Sequence, residues 1–161
     1  MDPAAIVIVW DEALERILLV QRRDVPLFVL PGGGIEEGEA PEEAAIREVS
    51  EETGLSIRIQ KKYAEYYPIN RLTTRTHLFM GKVISGSIKD SIETKSASFY
   101  PVHALPRTLF FLHRLWIEEA LLGREFLIKP IREVTYGSVT RFFLRHPWIV
   151  LRYLWTRIRN R

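Results

Sequence analysis

Residues 33–55 read GGIEEGEAPEEAAIREVSEETGL, a glycine-led and glutamate-dense stretch that admits few structural solutions. With Pro41 to Thr53 as a helix, Glu48, Glu51 and Glu52 fall three and four residues apart and project from one face. Like charges at that spacing cost roughly 0.2–0.5 kcal/mol per pair unless something positive sits among them. A hard divalent cation meets that need. Magnesium or manganese takes oxygen ligands, keeps several waters, and is bound jointly by protein carboxylates and substrate phosphates. The pattern therefore points to phosphate chemistry.

The flanking residues fit the same reading. Leu30, Pro31, Gly32, Gly33 and Gly34 follow an apolar run, and these glycines permit positive φ and close approach by a ligand. Pro41 suits a first helical turn, and Glu42 and Glu43 complement the helix dipole there. Ala44, Ala45 and Val49 supply an inward face, and Gly54 stops the helix. Arg47 precedes Glu51 by four residues, within reach of an ion pair that would orient a ligand carboxylate.

Gly33, Glu39, Arg47, Glu48, Val49, Glu51, Glu52, Gly54 and Leu55 together match GX5EX7REUXEEXGU (U aliphatic) at every defined position, and so resemble the signature box of the Nudix hydrolases. The resemblance spans roughly Ala5 to Leu122. Upstream, ILLVQRRDVPLFVLPGG has the family's form of buried strand, arginines, short strand and glycine loop; downstream, residues 99–106 resemble the strand and turn before its last helix. This resemblance implies an α/β/α sandwich with a mixed sheet. It implies a Mg²⁺- or Mn²⁺-dependent pyrophosphohydrolase acting on a nucleoside diphosphate linked to another moiety. Glu48, Glu51 and Glu52 would be metal ligands, with Arg47 holding the acidic cluster in place. Glu52 and Glu93 are both candidates for the general base, Asp90 being a weaker one. Gly32, Gly33 and Gly34 would lie beside the phosphates, with Arg22 or Arg23 as anion clamps. A catalytically silent nucleotide-binding or membrane-associated scaffold is the competing reading.

Outside the box, His77 reads as a structural histidine in an apolar strand. Tyr66, Tyr67 and Phe79 could stack on a nucleobase or belong to the core. Strands are expected at Ala5–Trp10, Arg16–Arg22, Leu27–Leu30, Leu55–Tyr67 and Arg75–Ile84, with a second helix over Arg107–Leu122. Strands and helices mix rather than alternate, as a sheet between helical layers requires.

With 161 residues, 47% of them apolar, the chain can fill one substantial core. It has no cysteine, which excludes disulfides and thiolate metal sites. No basic-then-apolar leader and no bilayer-length apolar run is visible, so a cytoplasmic protein is expected.

Charge divides the chain. From Leu127 onward eight Lys or Arg face one acid, Glu133, a balance of +7; with +3 for the whole chain, the first 126 residues carry −4. The expected organisation is a catalytic domain over 1–126 and a basic, aromatic-rich helical extension over 127–161. Within the latter, Arg145, Arg152, Thr156 and Arg159 form a stripe near Trp148 and Trp155. Docking on the enzyme or on a dimer partner, contact with an anionic membrane surface and contact with nucleic acid are its alternatives.

Overall fold

The computed structural model describes residues 2–11, 13, 15–89, 91, 94–123 and 126–149. The expectations placed on Asp90, Glu93, Arg152, Trp155, Thr156 and Arg159 therefore lie outside the described residues. In chain order come β1 (Ala4–Trp10), β2 (Arg16–Arg22), β3 (Phe28–Val29), β4 (Gly32–Gly34), α1 (Pro41–Thr53), β5 (Leu55–Pro68), β6 (Thr76–Gly86), β7 (Thr94–Pro101), a 3₁₀ turn (Val102–Ala104), α2 (Phe111–Leu121), β8 (Leu127–Ile131) and α3 (Tyr136–Arg145).

The strands form one mixed sheet in the order β3-β2-β1-β6-β5-β8, with β4 paired to β1 and β7 to β2. β1 is its hinge. It pairs antiparallel with β2 and β4 and parallel with β6. Its side chains alternate between two cores, as strand geometry dictates. Ala5, Val7 and Val9 pack with Ala44, Ala45 and Val49 of α1. Ile6, Ile8 and Trp10 pack with Leu112, Trp116 and Ile117 of α2. The α/β/α sandwich follows, since a sheet apolar on both faces must be covered on both.

Helix α1 keeps its expected bounds. The Glu43 carboxylate accepts from the Ala40 N–H at 3.1 Å, and Gly54 closes the helix at φ 75°, donating to Ser50 O. Helix α2 is shorter than expected at its start: residues up to Phe110 turn at Pro106, and Phe28 O accepts from Phe110 N–H. Three further differences concern strands. Gly32–Gly34, expected as a loop, is a short strand on β1. Residues 94–98 extend the strand expected around Phe99. Leu127–Ile131, expected to open the extension, runs parallel to β5 as the edge of the sheet, with Ile131 buried in the α2-side core. The charge break at Leu127 thus does not coincide with the edge of the folded core.

Beyond β8, Thr135 caps α3 through Ser138 N–H at 3.1 Å. Phe142 and Ile149 bury against Leu27, Phe110 and Phe111, so this part of the extension docks on the enzyme. Among the described residues no helix is long and apolar enough to cross a membrane. Phe142→Ala is expected to cost about 3 kcal/mol, the usual loss for emptying a buried aromatic site. Leu144, which is 75% exposed, should tolerate alanine within about 0.5 kcal/mol. Urea denaturation of the two variants measures both, and equal effects would deny that α3 is docked.

Candidate active site

Arg47 is the centre of the acidic cluster. Its Nε and Nη2 donate to the two carboxylate oxygens of Glu39 at 2.8 and 2.9 Å, the bidentate geometry that a planar guanidinium favours. Its Nη1 reaches Glu48 at 2.9 Å and Glu51 at 3.2 Å, and Nη2 also donates to Gly34 O at 3.0 Å. The Arg47 guanidinium holds the Glu39 carboxyl at about 2, far below the usual range. A carboxyl depressed in this way contributes stability in full above its ordinary pKa and loses it as pH falls toward 2. Arg47 itself is held more firmly in its charged form, first by Glu39 and then by Glu48.

The glycine strand fits the cluster sterically. Gly32 has φ 139°, and a Cβ there would lie 2.2 Å from Ala5 O, because the chain presses directly onto β1. At Gly33 a Cβ would lie 2.5 Å from the Glu48 carboxylate. The Gly32 N–H donates to Glu52 Oε2 at 2.9 Å. Glu48 and Glu52 are therefore seated on the backbone of β4, while Glu51 is 61% exposed at the rim.

Beside this seat lies a cleft of about 890 Å³ bordered by Asp2, Pro3, Glu36, Glu39, Arg47 and Glu48. Among the described residues no three carboxylate or imidazole groups converge into a ready metal cage. A cation of the Mg²⁺ type does not require one, because it dehydrates reluctantly and uses one or two carboxylates together with substrate phosphates. The donor set, all carboxylate oxygens beside an acidic cleft, fits such an ion in its chemistry.

The two expected anion clamps are engaged with neighbours. Arg22 holds Asp24 through Nε and Nη2 at 2.9 and 2.8 Å, which keeps the Asp24 carboxyl below its ordinary value. Arg23 Nε donates to Ser91 O at 3.1 Å. A substrate phosphate would have to displace those partners. His77 is buried, and desolvation is the main cause that lowers its pKa below the ordinary value. Tyr66 stacks on Trp116 at 4.8 Å and donates to Glu119, while Phe79 lies in the α1-side core. Tyr67 is partly exposed and donates to Glu65 at 3.0 Å.

Two features escape a reading of the sequence. His113 is half-buried, its Nδ1 accepts the Leu30 N–H at 2.9 Å, and desolvation pushes it down to about 3; it thereby anchors the chain just before the glycines. Its only sequence signal is its place beside Leu112 and Trp116 on an apolar helix. Glu65 gathers Lys62, Arg75 and Tyr67 around one carboxylate. Lys62, at i−3, is the only visible hint of that cluster.

Fold and site together define a phosphate-handling enzyme whose carboxylates are mounted on a glycine strand. A NUDIX domain profile matches residues 1–120, and the chain belongs to the Nudix hydrolase family. Over 103 residues it is 41% identical to a Bacillus subtilis protein named as a candidate 8-oxo-dGTP diphosphatase, covering 63% of this chain and 68% of that one. It is 36% identical to an ADP-ribose pyrophosphatase of Methanocaldococcus jannaschii over 117 residues, 68% and 69% of the two chains. A Nudix hydrolase from Nitrosomonas europaea shares the fold with a TM-score of 0.66 at 23% identity, over 81% of this chain and 80% of that chain. The protein is thus a Nudix pyrophosphohydrolase, of a family that generally requires a divalent metal.

The two adjacent glycines should respond differently to alanine. In Gly33→Ala the group that must move is the side-chain carboxylate of Glu48 rather than backbone, so the fold should persist, with a melting temperature within a few degrees of wild type and kcat at least tenfold lower. Gly32→Ala instead meets backbone at a positive φ and should destabilise the fold by about 1–3 kcal/mol or more. Melting curves and turnover on both proteins check the pair.

Proposed function

We propose that the chain hydrolyses a phosphoanhydride bond in a nucleoside diphosphate linked to a second moiety. The reading is carried by Arg47, which holds Glu39, Glu48 and Glu51 against the strand where Glu52 is already bonded to Gly32 N–H. Such an array presents carboxylate oxygens that one guanidinium cannot neutralise. Glu48, Glu51 and Glu52 would hold Mg²⁺ or Mn²⁺. That ion, when bound, neutralises the diphosphate and makes phosphorus more electrophilic. The protein's own part is positional. Gly32 and Gly33 fix Glu52 and Glu48, Arg47 ties Glu39, Glu48 and Glu51 together, and Arg22 and Arg23 supply positive charge at the end of β2.

Glu52 is the candidate base among the described residues, held 2.9 Å from a backbone N–H that orients its carboxylate. Glu93 keeps the role proposed for it from the sequence. The substrate class is supported by the relatives, whose names include an ADP-ribose pyrophosphatase and RNA pyrophosphohydrolases. In Glu52→Gln, kcat should fall about a thousandfold, equivalent to ~4 kcal/mol of transition-state stabilisation, with the fold intact. Nucleoside monophosphate release from a substrate panel with and without Mg²⁺ provides the assay. Wild-type turnover in a folded Glu52→Gln protein, or turnover in EDTA, would sink this mechanism.

Homodimerisation and contact with an anionic membrane are proposals for the C-terminal segment. The second draws support from exposed Arg141, Leu144 and Arg145 on α3, and from Trp148, 72% exposed just beyond it. The full chain should co-sediment with anionic vesicles, and less so as salt rises. Salt-independent binding, or none, would remove the membrane reading.

A further inference from the structure

We propose that the loop between β5 and β6, residues 69–75, forms a second anion subsite, in which Arg71 holds a substrate phosphate distinct from the scissile diphosphate. The inference rests on the hydrolase reading above and specifies its substrate further. A cavity of about 600 Å³ opens here, bordered by Pro3, Asn70, Arg71, Thr73, Thr74 and Arg75. Pro3 also borders the acidic cleft beside Glu48, so the two spaces adjoin across the N-terminal end of β1. Thr74 Oγ1 donates to Asp2 O at 2.6 Å and Ala4 N–H to Arg75 O at 2.8 Å, which fixes the loop against that shared wall.

The two spaces differ in charge. The cleft beside Glu48 carries five carboxylates, Asp2, Glu36, Glu37, Glu39 and Glu48, against the single guanidinium of Arg47. The cavity carries Arg71 and Arg75 and no carboxylate in its wall. Arg75 is committed: it bonds Glu65 and lies over the Tyr67 ring at 5.2 Å. Glu65 stays ionised, its carboxyl held at about 2 by Lys62 first and Arg75 second, so Arg75 remains fixed as part of the wall. Arg71 is exposed and has no hydrogen bond or ion pair among the described residues. Thr73 Oγ1 is buried with no hydrogen-bond partner there. An uncommitted, exposed guanidinium in the wall of a cavity without carboxylates suits a phosphate oxygen.

Separation argues that this phosphate is not the scissile one. Gly33 pairs with Ala5, Ala5 with His77, and His77 with Glu65, a row across four neighbouring strands. Three steps at about 4.8 Å place Glu65, which binds the Arg75 guanidinium, roughly 14 Å from Gly33. A ligand filling both sites would carry its diphosphate near Glu48 and a further phosphate on the moiety beyond Pro3.

The test uses the full chain and two ligands with the same scissile bond, ADP-ribose and ADP-ribose 1″-phosphate. Wild type should show a KM at least fivefold lower for the phosphorylated ligand. Arg71→Gln should remove that preference by raising the phosphorylated KM about fivefold or more, with kcat and the ADP-ribose KM unchanged. Arg71→Lys should recover part of it, since a charge without the fork keeps the attraction but not the geometry. Equal KM values in wild type, or an Arg71→Gln effect shared by both ligands, would overturn the subsite. If neither ligand is hydrolysed, the proposed substrate class fails, and calorimetric Kd values with Ca²⁺ in place of Mg²⁺ still decide the subsite. A fivefold Kd preference lost in Arg71→Gln supports it, and equal Kd values overturn it.

Discussion

One guanidinium makes this site possible. Arg47 joins three separated pieces of chain: its own helix through Glu48 and Glu51, the preceding turn through Glu39, and the glycine strand through Gly34 O. Without a positive charge at that point, the carboxylates would repel one another and the turn that carries Glu39 would have no ionic tie to α1. A lysine could supply the charge but not donors in several directions at once. Four carboxylates, Glu39, Glu48, Glu51 and Glu52, thus lie around one guanidinium and one strand, an oxygen-rich surround in keeping with a family that generally requires a divalent metal.

The same requirement reaches into the sheet. Gly32 presses onto β1 so closely that a methyl group would overlap Ala5 O, and Ala5 is itself a small residue with no exposed surface. Small residues at Gly32, Gly33 and Ala5 bring the helix carboxylates to within hydrogen-bonding distance of strand backbone. Larger residues resume one step further along β1, with Val7 and Ile8 filling the two cores. The irregular pairing of β5 with β6 belongs to this arrangement as well. Its register shifts between Ser56 and Ile57, Ile59 and Lys61, and Lys62 and Ala64, and shifts of this kind bend and twist a strand. The bent strand carries Glu65 and the start of the loop over residues 69–75.

What could be read from the sequence follows from how local the signals are. Helix α1, its inward alanines and its acidic face are written in a contiguous segment with helical spacing, so their placement needs no tertiary information. β1 and β2 are equally legible, being branched and apolar along their length. Gly32–Gly34 is not, because glycine has no strand preference and the pairing is imposed by Ala4, Ala5 and Ile6. β8 is hidden for another reason. Its sequence LIKPI contains a proline and a lysine, which suit an edge strand but read as a break. Arg22 and Arg23 were legible as cations near the glycines, but their partners, Asp24 and Ser91 O, depend on how the hairpin and the loop fold back.

The basic C-terminal segment shows why a charge boundary need not be a structural one. Lys129 of β8 bonds Glu119 of α2, so part of the segment's positive charge is spent neutralising the acidic domain that precedes it. Val134, just beyond β8, accepts from Asn70 Nδ2 at 2.6 Å, and the Asn70 side-chain oxygen in turn accepts the Leu72 N–H at 2.9 Å. Those two bonds fix the start of the loop that carries Arg71 and Thr73. The segment that looks separable by composition therefore closes the sheet and braces a loop beside the acidic cleft. The segment after β8 and the wall of the cleft are thus both tied to this loop, through Val134 O to Asn70 and through Asp2 O to Thr74.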